Sequence, residues 1–176
     1  MISRRVRFTG LALLAVAAAC ARTAESTPGR WATGTVTIDG SEFEVRNVSM
    51  EVSFETDGYY SISGDPASRS EEDCVPGLSA GMALYGSLPA SVHGPEDLIG
   101  QRLPVEFSGD GDDANLCFVG LEGLLGAEEA FVTIDSVSGG RVEFRMSGSF
   151  QMYDEEGGVS KRQASARGTA QIAAAR

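Results

Sequence analysis

Scarcity bounds the chemistry of this chain more tightly than abundance does. Its 176 residues include one histidine, one tryptophan and three cysteines. A single histidine, His93, builds no multi-histidine metal centre, and with two cysteines distant from it, Cys74 and Cys117, it lacks the spacing of a zinc site. No glycine-rich loop opens a helix, so a phosphate cradle has no support. Basic residues are few as well, 14 against 25 acids, for a net charge of −11. A surface so acidic, without a basic patch, repels nucleic acid. The apolar run Leu11 to Ala19 is too short to cross a bilayer as a mature helix.

That run is informative in another way. It follows Arg4, Arg5 and Arg7 and ends at Ala17-Ala18-Ala19-Cys20. A positive start and a short apolar segment make an export signal. Small residues before a cysteine resemble the lipobox of bacterial lipoproteins, in which that cysteine receives the lipid. Residues 1–19 are therefore expected to be a lipoprotein signal peptide, with Cys20 as the lipidated N-terminus. Ordinary cleavage after Ala19 or Ala21, and an uncleaved anchor, are the alternatives. Residues 20–30 then hold the lipid and a flexible tether of small, polar residues. Loss of residues 1–19 removes three bases and no acid, leaving a net charge of about −14. Attachment to the membrane would thus come from the lipid and not from charge. Ala21 in place of aspartate favours, by analogy, the outer membrane, with the domain facing the periplasm.

An odd cysteine count in an exported chain leaves one residue over. With Cys20 lipidated, Cys74 and Cys117 remain as a disulfide pair in an oxidising compartment. Two separate buried thiols are the alternative.

The remaining residues, 31–176, suffice for one domain with a real core. Their pattern is antiparallel β. Val142, Phe144, Met146, Phe150 and Met152 alternate with Arg141, Glu143, Arg145, Ser147, Ser149 and Gln151, a period of two. Ile134 is expected opposite Phe144 and Val132 opposite Met146, which implies a three-residue loop, Ser138 to Gly140. Val36 is expected opposite Phe43 across an Asp39-Gly40 turn, and a bulge near Arg46-Asn47 restores the parity of Val48, Met50 and Val52. Matching Phe54 with Tyr60 gives a loop of Thr56, Asp57 and Gly58. Further strands are expected at Met82 to Leu88, at Leu103 to Phe107, from Leu116, and at Ala164 to Ala174. Pro95-Glu96-Asp97 reads as a single helical turn, and Glu122 to Glu129 as a gap. The total is about eight to ten strands.

Several of these pieces carry a resemblance. They are Trp31 with Val36-Thr37-Ile38-Asp39-Gly40 and Phe43, then Tyr60-Ser61-Ile62-Ser63-Gly64. Val132-Thr133-Ile134, Ser147-Gly148-Ser149-Phe150 and Gly168-Thr169-Ala170 complete the set. Together they are similar to a loose group of small, uncharacterised bacterial lipoproteins of β-sandwich type. The resemblance implies a lipid-anchored sandwich and brings no activity with it. The small, alanine-rich last strand suits a sheet edge, so an open antiparallel sandwich is expected, with an up-and-down barrel as the runner-up.

Candidate sites are sparse. His93 lies near Glu96 and Asp97, as a base beside an orienting acid would. The cysteines are expected to be oxidised and supply no thiolate nucleophile. Asp110, Asp112, Asp113 and Asn115 form the densest cluster of oxygen ligands, suited to calcium. The EF-hand pattern fails, because its fifth and twelfth positions are Ala114 and Leu121. Glu71, Glu72 and Asp73 would join the cluster if Cys74 and Cys117 were bonded. Two solvated acidic turns explain the same residues. Tyr59, Tyr60, Tyr85, Tyr153 and Trp31 are candidate contacts for a sugar or a peptide, or else cross-strand packing. The function expected is a binding or structural module of the cell envelope, not an enzyme and without a cofactor. An acidic-residue hydrolase and a calcium-dependent binding module are the alternatives, and the partner, protein or glycan, is left open.

Overall fold

The computed structural model describes residues 32–55, 57–67, 73–75, 78–106, 115–118, 124–153 and 157–174. Eleven strands form there. They are β1 (Thr33–Ile38), β2 (Ser41–Ser53), β3 (Tyr59–Pro66), β4 (Asp73–Val75), β5 (Leu78–Ser79) and β6 (Gly81–Ser87), then β7 (Arg102–Val105), β8 (Asn115–Cys117), β9 (Leu124–Ser138), β10 (Arg141–Tyr153) and β11 (Val159–Ala174). A 3-10 turn spans Pro95–Leu98, and no α-helix occurs among the described residues. The fold is all-β, as its alternating sequence requires.

It is a barrel and not the expected sandwich. Pairing runs β9–β10–β11–β1–β2–β3–β6–β8 and returns to β9, an antiparallel ring of eight strands. The last strand misled the sequence reading. β11 is no edge, since it pairs with β10 along its length and with β1 through Ala164 to Gly168. Its small residues face inward opposite large ones: Ala166 beside Met146, Gly168 beside Phe144, Ala170 beside Val142. An eight-stranded barrel is just wide enough for its interior side chains, so large residues on one strand require small ones on the next. The alanines are a packing requirement of closure.

Closure is shared by two short strands. β8 joins Met82 of β6 to Leu125 of β9 through Leu116. Further along the same edge of β9, β7 pairs Val105 with Ala130 and Arg102 with Thr133. The Glu106 amide then reaches the Tyr85 carbonyl of β6 at 2.8 Å. On the far side of the barrel β1 is short, and beyond its start β11 meets β2 directly, in parallel, from Gln171 to Ala174.

The interior is filled. Tyr60, Ile62, Leu84, Leu103, Leu125, Phe144 and Phe150 are fully buried among the alternating residues of the wall. Leu98, in the 3-10 turn, drops into the same core. Outward positions carry Glu42, Glu44, Glu51, Arg145, Lys161 and Arg167, all exposed. An apolar inside and a charged outside are the reverse of a barrel whose wall faces lipid. No helix among the described residues is long and apolar enough to cross a membrane.

Local registers were partly legible. Val36 does oppose Phe43, with Asp39 and Gly40 both at positive φ in the turn, and the parity switch does fall at Arg46–Asn47. Ile134 opposes Phe144 and Val132 opposes Met146, as expected. The three-residue loop between them is corrected. Ser138 pairs with Arg141 across a two-residue Gly139-Gly140 turn, and Asp135 is left over in a bulge. The loop before β3 is also longer than expected, because Val52 and not Phe54 opposes Tyr60. β9 begins at Leu124, so the expected gap from Glu122 to Glu129 is mostly strand.

Candidate functional site

A filled interior moves the search for a site to the wall. On β3, Tyr60 and Ile62 point inward, and so Tyr59, Ser61 and Ser63 point out. On β6 the inward residues are Met82, Leu84 and Gly86, leaving Ala83, Tyr85 and Ser87 outside. Ser61 opposes Tyr85, and Tyr59 opposes Ser87. Tyr59 and Tyr85 are therefore diagonal neighbours, a separation that aromatic side chains span. Their rings stack with centroids 5.9 Å apart and planes 30° from parallel.

The pair lines an open hollow of about 600 Å³. Its other walls come from Phe54, Glu55, Asp57 and Gly58 before β3, and from Leu88 to Ala90, Val92 and His93 after β6. The Leu88 amide bonds to the Gly58 carbonyl at 2.8 Å, which ties the two loops together. Tyr85, a large side chain, stays 38% exposed. An exposed aromatic pair over a concavity is the usual foundation of a ligand contact.

The electrostatics of this face have one sign. The Tyr59 hydroxyl points at Glu51 Oε1, 3.5 Å away. The Glu51 charge holds the Tyr59 phenol above its ordinary range, with desolvation adding to it. Glu106 accepts from the Ser87 amide and the Ser87 hydroxyl, both at 3.2 Å. Glu55 and Asp57 make no ion pair among the described residues. No lysine or arginine stands on β3, on β6, in residues 54–58 or in residues 88–101. The described bases are Arg46, Arg102, Arg141, Arg145, Lys161, Arg162 and Arg167, on β2, β7, β10 and β11.

His93 lines the hollow, and its contact with Asp97 is made by its backbone. Asp97 Oδ2 accepts from the His93 backbone amide at 2.9 Å, so the carboxylate fixes the loop and not the imidazole. Tyr60, another sequence candidate, is core: its hydroxyl donates to the Pro104 carbonyl at 2.6 Å, and burial pushes that hydroxyl up. Tyr153 sits on β10, away from the pair, with its hydroxyl 2.7 Å from Gln151 Oε1. Asp110, Asp112, Asp113, Glu71, Glu72, Cys20 and Trp31 lie outside the described residues, as do the side chains of Asp73, Cys74 and Asn115. Among the described residues no group of three or more His, Cys, Asp or Glu is placed to hold a metal ion. Cys117 is fully buried and not a free thiol.

Among the described residues, the carboxyls whose titration is displaced are all displaced downward. Asp39 is lowered by the Gln163 backbone amide and by Arg162, Glu128 by Lys161, and Asp135 by Arg145. None of them is raised, as the general acid of a carboxylate pair would need to be.

Sequence reasoning missed two things. The carboxylates flanking the tyrosines, Glu51 and Glu106, are distant in sequence, and only strand pairing brings them to β3 and β6. It also counted no G-x-S-x-G, although Gly77-Leu78-Ser79-Ala80-Gly81 has that serine-hydrolase spacing. That motif needs a strand-to-helix turn. Here Leu78–Ser79 is β5 and the next element is β6, so the context is strand to strand.

Compared with known protein families, curated proteins and solved structures, the chain matches none.

Proposed function

We propose that this protein is a lipid-anchored binding module of the bacterial cell envelope, which holds its ligand on the outer wall of the barrel. The observation that carries this reading is the Tyr59–Tyr85 pair in a hollow of about 600 Å³, over a barrel whose interior is already filled. Eight-stranded barrels that bind ligands inside keep space for them, and here Tyr60, Phe144 and Phe150 are fully buried in one core. Tyr85 is exposed and Tyr59 half-buried, and the pair lines a hollow and is flanked by groups that hydrogen-bond. Binding is preferred to hydrolysis because the displaced carboxyls are lowered by basic partners and the hollow pairs no nucleophile with His93.

The anchor is Cys20, supported by the Ala17-Ala18-Ala19-Cys20 junction, the preceding arginines and the likeness to small bacterial lipoproteins of the envelope. The outer membrane, on its periplasmic side, is the place this reading gives it. Cys74 is the partner for Cys117, which lies at the start of the pairing with Gly81. A bridge between them would stabilise the fold by roughly 4 kcal/mol in the chain-entropy model.

Two measurements test the reading. An array of envelope glycans and peptides, probed with wild type and with Tyr85→Ala, should give wild-type signals that the variant loses. Equal signals from both would remove the wall as the binding face. Cys20→Ser should leave the membrane fraction or accumulate as precursor, and membrane association like that of wild type would remove the lipid anchor.

A further inference from the structure

The hollow's chemistry narrows its ligand. Aromatic faces carry the negative lobe of the ring quadrupole and attract cations. The carboxylates of Glu51, Glu55, Asp57 and Glu106 stand around the Tyr59–Tyr85 pair or line its hollow. Among the described residues no lysine or arginine on this face offsets them. Elsewhere on the wall three acids, Asp39, Glu128 and Asp135, are each paired with a base at 3.0 Å or closer. The described part of the barrel is thus divided, with ion pairs on β9, β10, β11 and the β1–β2 turn, and unopposed acid beside the tyrosines.

Screening at physiological salt acts over about 8 Å, so the carboxylates that act on a bound group are those lining the hollow, Glu55 and Asp57. An anionic ligand is repelled there. A neutral sugar gains stacking but nothing from the excess charge. An ammonium group gains from both the rings and the carboxylates.

We infer that the Tyr59–Tyr85 hollow takes an alkylammonium group, as carried by a lysine side chain or a polyamine. The inference rests on the wall being the binding face. Glu55 and Asp57 provide attraction at the rim, while Tyr85, the more open ring, provides the face. The hydroxyl of Tyr85 is dispensable for such a contact, because the ring attracts the cation.

The test is a calorimetric titration of the full chain in detergent with three probes: tetralysine, the same peptide acetylated on every ammonium group, and spermidine. Tetralysine should bind at least tenfold more tightly than its acetylated form. Spermidine binding as well as tetralysine assigns a free polyamine, and much weaker binding assigns a peptide side chain. Tyr85→Ala should weaken the ammonium probes about threefold to fivefold at unchanged net charge, while Tyr85→Phe should bind like wild type. Non-specific attraction to an acidic protein would ignore the change to alanine. Equal affinity for the acetylated peptide, lost in Tyr85→Ala, overturns the ammonium assignment and leaves the binding face standing. No binding of either ammonium probe also overturns the assignment. Binding that is the same in wild type and Tyr85→Ala overturns the face itself.

Discussion

Asp135 is the residue that β9 leaves over between its pairs Ser136–Glu143 and Ile134–Phe144, and Arg145 takes its carboxylate with two hydrogen bonds of 2.7 Å. Glu128 repeats the arrangement at the second irregularity of β9, held by Lys161 at 2.7 Å and by the Ser149 hydroxyl at 3.2 Å. Asp39, in the β1–β2 turn, is held by Arg162 at 3.0 Å. Ion pairs occur here where the ladder of the sheet is interrupted.

Neither the charge nor the extra residue should be essential. Asp135→Ala should keep the fold and lower stability by only about 0.5 kcal/mol, an effect that fades in molar salt. Deletion of Asp135 should also fold, because the residue removed is the one the ladder leaves unpaired, and Ile134 stays opposite Phe144 and Val132 opposite Met146. Urea unfolding of the two variants checks this, and a deletion variant that does not fold would contradict it.

Acid should weaken the domain through the same three carboxyls. Each is held below its ordinary range in the folded protein. Their stabilising effect is therefore complete above the unfolded values, near 4, and is lost as pH falls through the lower folded values. The melting temperature should be flat from pH 7 to 5 and fall below about 4. The variant Asp39→Asn/Glu128→Gln/Asp135→Asn should start lower and fall less steeply over that acid range.

The β6–β7 seam should be intolerant of added volume. Tyr60 donates to the Pro104 carbonyl, and a Cβ built on Gly86 would overlap that same carbonyl. Gly86→Ala is expected to cost roughly 3 kcal/mol or more, because two strands must separate. Tyr60→Phe loses one hydrogen bond and leaves a buried carbonyl, at about 1–2 kcal/mol. Chemical unfolding midpoints give both figures, and a neutral Gly86→Ala would show that the seam is looser than described.

How much was legible in the sequence follows from what the sequence encodes locally. Alternation in β10 and the Asp39-Gly40 turn gave strands, faces and two registers, since period and turn type are properties of neighbouring residues. The Gly139-Gly140 turn was misjudged because the sequence reading made the faces match by lengthening the loop, whereas the chain matches them with a bulge at Asp135. Sandwich against barrel depends on whether β9 meets β8, a pairing of Leu125 with Leu116 that no local pattern records. The site was half legible. Tyr59 and Tyr85 were named as candidates, but their contact and their carboxylate neighbours arise only from the β2–β3–β6 register.

Calcium should not stabilise the fold specifically. The candidate ligands Asp110, Asp112 and Asp113 belong to an acidic chain whose repulsion any added salt screens. Melting midpoints in millimolar calcium and in sodium of matched ionic strength should coincide, in oxidised and reduced protein alike. A rise with calcium alone, present only before reduction, would instead reveal a site built by the Cys74–Cys117 bridge.

The most direct measurement is amide chemical-shift mapping of the full chain during titration with tetralysine. The expected result is a cluster of perturbed amides on β3 and β6 and in the loops at residues 54–58 and 88–93, with β10 and β11 silent. Perturbations centred on β10 and β11, or the absence of any, would contradict a binding face at Tyr59 and Tyr85.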